Sequence, residues 1–255
     1  MAATSSRVRS AERTLDVLLV LSRHRNPLSA LEISAELGMP KSTTHHLLNA
    51  MAERRFVAYR KSDRTWSLGI AAFEIGAAYS RNGSFAFHAA PFLKRLSESG
   101  VTGHLASLQG NDVVYLDKRE PASQGVRLVT EVGTHLPAHL TAVGRAILST
   151  LDDERLDKLF ENYSWPLRTD RGPTSLSDLR AELETSRQRG FAEEHDNTTN
   201  GIVCIASAVT LPDGEAVGAL GVAFLSGVKS PTELDELREL VPTVAREFST
   251  QLASD

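Results

Sequence analysis

The segment from Ser29 to Leu68 constrains this chain most. It begins Ser-Ala-Leu-Glu-Ile-Ser-Ala-Glu-Leu-Gly-Met-Pro-Lys-Ser-Thr-Thr-His-His-Leu-Leu and runs into a basic hairpin. Ser29 with Glu32 three residues on is a capping-box pair, so a helix starts there, with Ile33 and Leu37 on its buried side. Gly38 ends it, because glycine enters the left-handed region at little cost. Pro40 suits the first turn of a following helix. In that helix Thr44, Leu47, Leu48 and Met51 share one face, and Lys41, Ser42, Thr43, His45, His46 and Asn49 occupy the rest. No Asp or Glu lies between Pro40 and Ala52. A short helix, a tight turn and a second helix with a carboxylate-free polar side can enter a major groove and donate to phosphates and base edges.

The flanking residues extend this unit. Ser10 to about Arg25 reads as a preceding helix, with Leu15, Leu18, Leu19 and Ser22 at helical spacing, after a flexible arm at 1–9. Asn26-Pro27 stops it. Phe56–Tyr59 and Thr65–Leu68 read as strands. Arg60, Lys61 and Arg64 stand in the turn between them, where a wing can touch backbone phosphates. Charges gather at any exposed turn, but a hairpin beside a helix pair favours the wing. Residues 10–69 thus form a winged helix-turn-helix, and the apolar, small-residue stretch 70–83 a linker helix ended by Asn82-Gly83.

From residue 84 to 255 the pattern changes. A helix to about Ser99 precedes expected strands at His104–Leu108, Val113–Asp117 and Val126–Thr130. Helices follow at Ala142–Thr150, Asp153–Phe160 and Leu176–Arg189, then strands at Val203–Thr210 and Ala216–Leu225 and a last helix at about Pro231–Leu252. Strands meandering beside helices predict an α+β domain with an antiparallel sheet. Residues 1–70 carry eleven Lys/Arg against six Asp/Glu, a net +5, whereas residues 71–255 carry seventeen against twenty-six, a net −9. A basic front part on an acidic remainder suits a nucleic-acid module joined to a regulatory domain.

Chemistry-bearing motifs are sparse. There is no Gly-x-Ser-x-Gly, P-loop or dinucleotide glycine fingerprint, so no catalytic residue and no cofactor is expected. Cys204, the one cysteine, sits in an apolar run, where an inert buried thiol or a pocket wall outranks a nucleophile. One cysteine permits no internal disulfide and suits a reducing cytoplasm. No apolar run reaches the roughly 20 residues that cross a bilayer, and no signal-peptide core is present, so a cytoplasmic protein without a membrane partner is expected. His135 and His139 have metal-ligand spacing, but Pro137 between them argues against a helix, and no metal site is expected. Glu193-Glu194-His195-Asp196 reads as a polar loop before a strand. Arg127 and Arg145 suit either an acidic ligand or the domain's excess carboxylates, and Trp66 and Trp165 packing.

The order and spacing of six segments resemble the isocitrate lyase regulator (IclR) family of bacterial transcription factors. They are Ser-Ala-Glu-Arg-Thr-Leu-Asp-Val-Leu (10–18), Leu-Gly-Met-Pro-Lys-Ser-Thr-Thr-His (37–45), Val-Val-Tyr-Leu-Asp (113–117), Leu-Thr-Ala-Val-Gly-Arg-Ala-Ile-Leu (140–148), Arg-Gly-Phe (189–191) and Gly-Ile-Val-Cys-Ile-Ala-Ser-Ala-Val (201–209). The resemblance implies a GAF-like effector domain after the winged unit, pairing into a homodimer or dimer of dimers, double-stranded operator DNA near a catabolic operon, and a small organic acid as effector. It places Lys41, Ser42, Thr43 and His45 on the recognition motif. His46 departs from the family's usual arginine, which forks onto guanine as a neutral imidazole cannot.

By position in the family, the effector pocket implicates Ala142, Val143, Gly144, Glu194 and Cys204, with the backbone N–H groups of Ala142 to Arg145 as donors to a carboxylate. Arg145 could pair with the acid. Two following positions, often serine in the family, are Gly221 and Ala223 here. That removes hydroxyl donors and is expected to enlarge the pocket for a bulkier or more apolar acid, an aromatic one included. Two competing readings remain: an enzyme with an incidental winged domain, and a winged domain that serves protein contacts alone. The first needs a nucleophile–base pair or metal cluster, and the second predicts no salt-dependent DNA affinity.

Overall fold

The computed structural model describes residues 2–81, 85–122 and 130–254. The chain divides into two compact units, Met1–Ser84 and Phe85–Asp255.

In the first unit α1 (Ala2–Arg23) is followed by β1 (Leu28–Ser29), α2 (Ala30–Glu36), α3 (Lys41–Glu53), β2 (Val57–Arg60), β3 (Thr65–Leu68) and α4 (Ile70–Arg81). The residues expected as a flexible arm continue α1 from Ala2 and hold no glycine or proline to break it. Its buried stripe also differs from the expected one. Val17, Val20 and Leu21 enter the core, and Leu15 and Leu19 are exposed, because the helix is rotated to pack on α2 and the small sheet. Ser29 caps α2 as the capping box predicts: its Oγ accepts from Glu32 N at 3.2 Å, and its own N–H donates to Glu32 Oε2 at 2.7 Å. The turn into α3 is pinned by the buried Ser34 hydroxyl, which donates to the Met39 carbonyl at 2.6 Å. The strands pair antiparallel in the order β1-β3-β2. β1 has only two residues and had no alternation to betray it.

In the second unit α5 (Phe85–Ser97) leads to β4 (Thr102–Gln109), β5 (Asp112–Arg119) and β6 (His135–Pro137). A single 3-10 turn at Ala138–Leu140 follows, then α6 (Ala142–Leu148), α7 (Asp153–Leu159), α8 (Leu176–Arg189), β7 (Ala192–His195), β8 (Ile202–Thr210), β9 (Ala216–Leu225) and α9 (Pro231–Leu252). The expected strand at Val126–Thr130 lies outside the described residues except for Thr130, and Arg127 lies outside them. The described strands form one antiparallel sheet, β6-β5-β4-β9-β8-β7.

Both faces of this sheet are covered. Leu105, Ile205, Leu220 and Val222 pack with α5 and α9, while Ala106, Ala206 and Ala219 pack with α6, α7 and α8. Period-two alternation sends successive residues to opposite faces, so a sheet buried on both reads as a nearly continuous apolar run. The small side chains on the α6 face let that helix approach closely.

The segment Glu193–Asp196 corrects a sequence reading: residues 192–195 are edge strand β7, not a loop. Its polar composition masked it. Glu193 faces α9, where Arg238 donates to both carboxylate oxygens at 2.9 and 3.0 Å, and Glu194 turns to the opposite, buried face.

Candidate functional site: an exposed helix face and a buried cavity

The geometry of α3 separates its two sides. Thr44, Leu48 and Met51 are buried, while Lys41, Ser42, His45, His46 and Asn49 are exposed and Thr43 half-exposed. No side chain caps its N-terminus at Pro40, so the first-turn N–H groups stay open to an outside acceptor. The hairpin of β2 and β3 carries Arg60, Lys61 and Arg64 at its exposed end. Arg60 is 3.3 Å from Asp63, which also accepts from Thr65. Lys61 and Arg64 have no ion pair among the described residues. Trp66, buried at the root of the wing, stacks tilted on Tyr59 with ring centroids 4.8 Å apart.

The second unit holds its candidate site inside. Strand register aligns Glu194, Cys204 and Ala223 in one row across β7, β8 and β9, and Ala206, Gly221 and His104 in the next. The N-terminus of α6 lies over the second row. There Val143 stands so close that a Cβ on Gly221 would meet its Cγ1 at 2.9 Å and the Ala206 Cβ at 3.0 Å. The space among Ala142, Val143, Glu194, Cys204 and Gly221 is therefore only about 10 Å³, too little for an organic ligand. The expected enlargement at Gly221 is not found, because the neighbouring Val143 fills what the missing side chain vacates.

Beyond the reach of α6 no described helix lies over this end of the same sheet face, and a cavity of about 300 Å³ opens among the described residues. Ile202, Cys204, Ala223 and Leu225 form its floor. His104, Tyr115, Thr130 and Leu136 make one wall, and Arg168, Thr198, Thr199 and Asn200 another. Of the eight effector residues expected from the resemblance, Cys204 and Ala223 line this cavity. Ala142, Val143, Glu194 and Gly221 line the closed gap beside it. Gly144 is wedged against the 3-10 turn, where a Cβ would meet the Ala138 carbonyl at 2.2 Å. Two of the four amides proposed as donors are already used: Gly144 N–H donates to Thr141 Oγ1, and Arg145 N–H to the Thr141 carbonyl, both at 2.9 Å.

The Arg145 side chain is buried and directed elsewhere. Its Nε donates to the His139 carbonyl at 2.8 Å, and Nη1 lies 3.7 Å from Glu182. It borders an open groove of about 590 Å³ shared with Glu193, Glu194 and Arg238.

Burial dominates the electrostatics. Desolvation pushes the Glu194 carboxyl above the usual carboxylate range, against the hydrogen bond from Asn197 N–H at 2.9 Å. The Cys204 thiol is pushed well up by burial and by the adjacent Glu194, which leaves no thiolate for nucleophilic chemistry. His104 is held neutral, its pKa lowered to about 3 by burial and by Lys118, and its Nε2 lies 2.9 Å from Thr130 Oγ1. His139, packed edge-on to Tyr163 and Trp165, is lowered to about 4 by burial. It lies in the 3-10 turn and His135 on β6, so their spacing is not helical. Among the described residues no cluster of His, Cys, Asp or Glu could hold a metal ion. No described helix is long and apolar enough to cross a membrane.

Ile202 and Leu225 could have been found from the sequence by stepping two residues along the strands of Cys204 and Ala223. Arg168 carried no such signal, because the segment around it has neither period.

Two family models match this chain, the IclR helix-turn-helix domain over residues 10–61 and the bacterial transcriptional regulator IclR C-terminal domain over residues 78–250. The chain belongs to the IclR family of transcription regulators. It is similar to the HTH-type transcriptional repressor AllR of Escherichia coli (strain K12), with 32% identity over 94% of this chain and 89% of that protein. The AllR repressor of Salmonella typhimurium is 31% identical over the same shares. An IclR transcriptional regulator from Alicyclobacillus acidocaldarius shares the fold with a TM-score of 0.86 at 24% identity, covering 95% of this chain and 98% of that one. An IclR homolog from Microbacterium hydrocarbonoxydans, crystallised with 4-hydroxybenzoate, shares it with a TM-score of 0.78 at 21% identity over 96% and 100%. The winged unit and the antiparallel α+β domain are thus those of the IclR family. This IclR-family chain is an HTH transcription regulator.

Proposed function

We propose that this protein is a ligand-responsive regulator of a catabolic operon, with a small organic acid, apolar enough to include an aromatic ring, as effector. The observation that carries the DNA-binding half is the exposed side of α3, free of carboxylates from Lys41 to Ala52, standing on a fully buried Thr44–Leu48 face. Lys41, Ser42, Thr43, His45, His46 and Asn49 meet base edges and phosphates, and Arg60, Lys61 and Arg64 in the wing meet the backbone. The cavity of about 300 Å³, with Cys204 and Ala223 on its floor, takes the effector. Its size is at the small end of ligand pockets, which suits a single ring. The Microbacterium homolog's 4-hydroxybenzoate supports an acid of that size.

One winged module contacts too few bases for operator specificity, so the protein acts as a homodimer or dimer of dimers. Large apolar side chains exposed on α1 (Leu15, Leu19) and on α4 (Ile70, Phe73, Tyr79) support pairing through these helices. The effector regulates by binding one arrangement of the paired modules more tightly than another.

A gel shift with DNA from upstream of the protein's own gene tests the reading. Retardation that weakens steeply with salt is expected, with affinity altered by 4-hydroxybenzoate. Absence of retardation even in dilute buffer overturns it.

A further inference from the structure

Two of the four α6 amides expected to hold an acid's carboxylate, and the Arg145 side chain, are already engaged. The amides of Gly144 and Arg145 are bonded to Thr141, and the Arg145 side chain is bound to the His139 carbonyl. Among the described lining residues of the cavity no Asp or Glu occurs, and Arg168 is the one permanent cation. Its Nε donates to the Thr198 carbonyl at 3.4 Å, which tethers the guanidinium to the cavity wall. Its two terminal nitrogens make no hydrogen bond or ion pair among the described residues. Arg171, three residues on in the same stretch, lies 3.9 Å from Asp196. The floor beside Arg168 is apolar at Ile202, Ala223 and Leu225.

We propose that Arg168 is the carboxylate anchor of this cavity and makes it select a single-ring monocarboxylate over the neutral amide of the same shape. The inference rests on reading the cavity as the effector site. The ring lies on Ala223 and Leu225, and the carboxylate accepts from the free terminal nitrogens of the guanidinium, whose fork matches its two oxygens. A two-carbon acid would satisfy the arginine but leave the apolar floor wet, losing the burial that a ring supplies. Arg168 stands on the irregular stretch between Phe160 and Ser175, whose Thr169 hydroxyl also donates to the Asn197 carbonyl at 3.4 Å. The acid's charge therefore bears on the link between this stretch and the residues joining β7 to β8.

Calorimetric titration of the full chain with benzoate and with benzamide tests this, using wild type, Arg168→Gln and Ala223→Phe. Melting temperature and DNA retardation serve as folding controls, and Leu225→Trp stands in if Ala223→Phe does not fold. In wild type, benzoate should bind about tenfold or more tightly than benzamide, as one charge-assisted pair supports. Arg168→Gln should remove that preference and leave benzamide affinity unchanged, and filling the floor should abolish binding of both. A benzoate preference that survives in Arg168→Gln overturns the anchor while the cavity reading stands. Unchanged binding of both probes in the filled variants overturns the cavity reading itself. No binding of benzoate to wild type overturns the assignment of ligand class.

Discussion

Helix α3 and strand β9 both carry residues singled out from the sequence, yet α3 holds them in solvent and β9 holds them in a core. On α3 the implicated side chains project into solvent, and the helix is kept in place by other residues, Thr44, Leu48 and Met51, on its far side. On β9 the implicated positions, Gly221 and Ala223, are themselves core residues. A partner docked on the exposed side of α3 would leave undisturbed what folds the helix. On β9 the same side chains decide both packing and the shape of the space left over. The contrast predicts that substitutions separate binding from stability in the winged unit and confound them in the other.

The largest expected effect concerns pH in the second unit. His104 and His139 have folded pKa values near 3 and 4, below the ordinary value near 6.5. The unfolded chain therefore takes up protons first as pH falls, and stability is lost from about pH 6.5 downward until the folded values are reached. From pH 7 to pH 5 each histidine should contribute a loss of about 2 kcal/mol. Glu194, raised by burial, works in the opposite sense and partly offsets it. Urea unfolding at the two pH values, compared among wild type, His104→Gln and His139→Gln, should show the acid loss shrink by about that amount in each variant. An unchanged loss would remove the interior histidines from this account.

A smaller effect tests the closed gap under α6. Gly221→Ser introduces the residue that the family resemblance implies at this position, but its Cβ would meet Val143, Ala206 and the Ile205 carbonyl between 2.9 and 3.1 Å. It should destabilise the second unit by about 1–3 kcal/mol in thermal or urea unfolding, the range for overpacking. A neutral outcome with new affinity for a two-carbon acid would instead show that the gap opens.

The smallest stability effect belongs to the winged unit. Lys41→Ala and Arg64→Ala should leave unfolding within about 0.5 kcal/mol of wild type, as expected for exposed positions. Each should lower the salt slope of operator binding by about one unit if its cation meets a phosphate. A loss of stability without a change of slope would erase the difference between the two regions.

Legibility follows the same division. The capping box at Ser29 and Glu32, the stop at Gly38 and the faces of α3 were readable because each depends on residues within a turn or two of one another. The stripe of α1 was misread for the same reason: its leucines satisfy helical spacing, but the neighbours that choose between Leu15 and Val17 lie on other elements. Strand β7 went unseen because its Glu193 has Arg238 for a partner, far along the chain, which lets a charged residue sit in a sheet.

From sequence alone came the winged helix-turn-helix, the antiparallel α+β domain and the family, since local spacing, caps and the order of motifs carry them. Tertiary structure alone decided where an effector-sized space exists. That space depends on how far the short helix α6 reaches over rows assembled from β4, β8 and β9. It also depends on which arginine the surrounding carbonyls and carboxylates leave with free nitrogens. Packing of distant segments settles both, and no window of neighbouring residues encodes it.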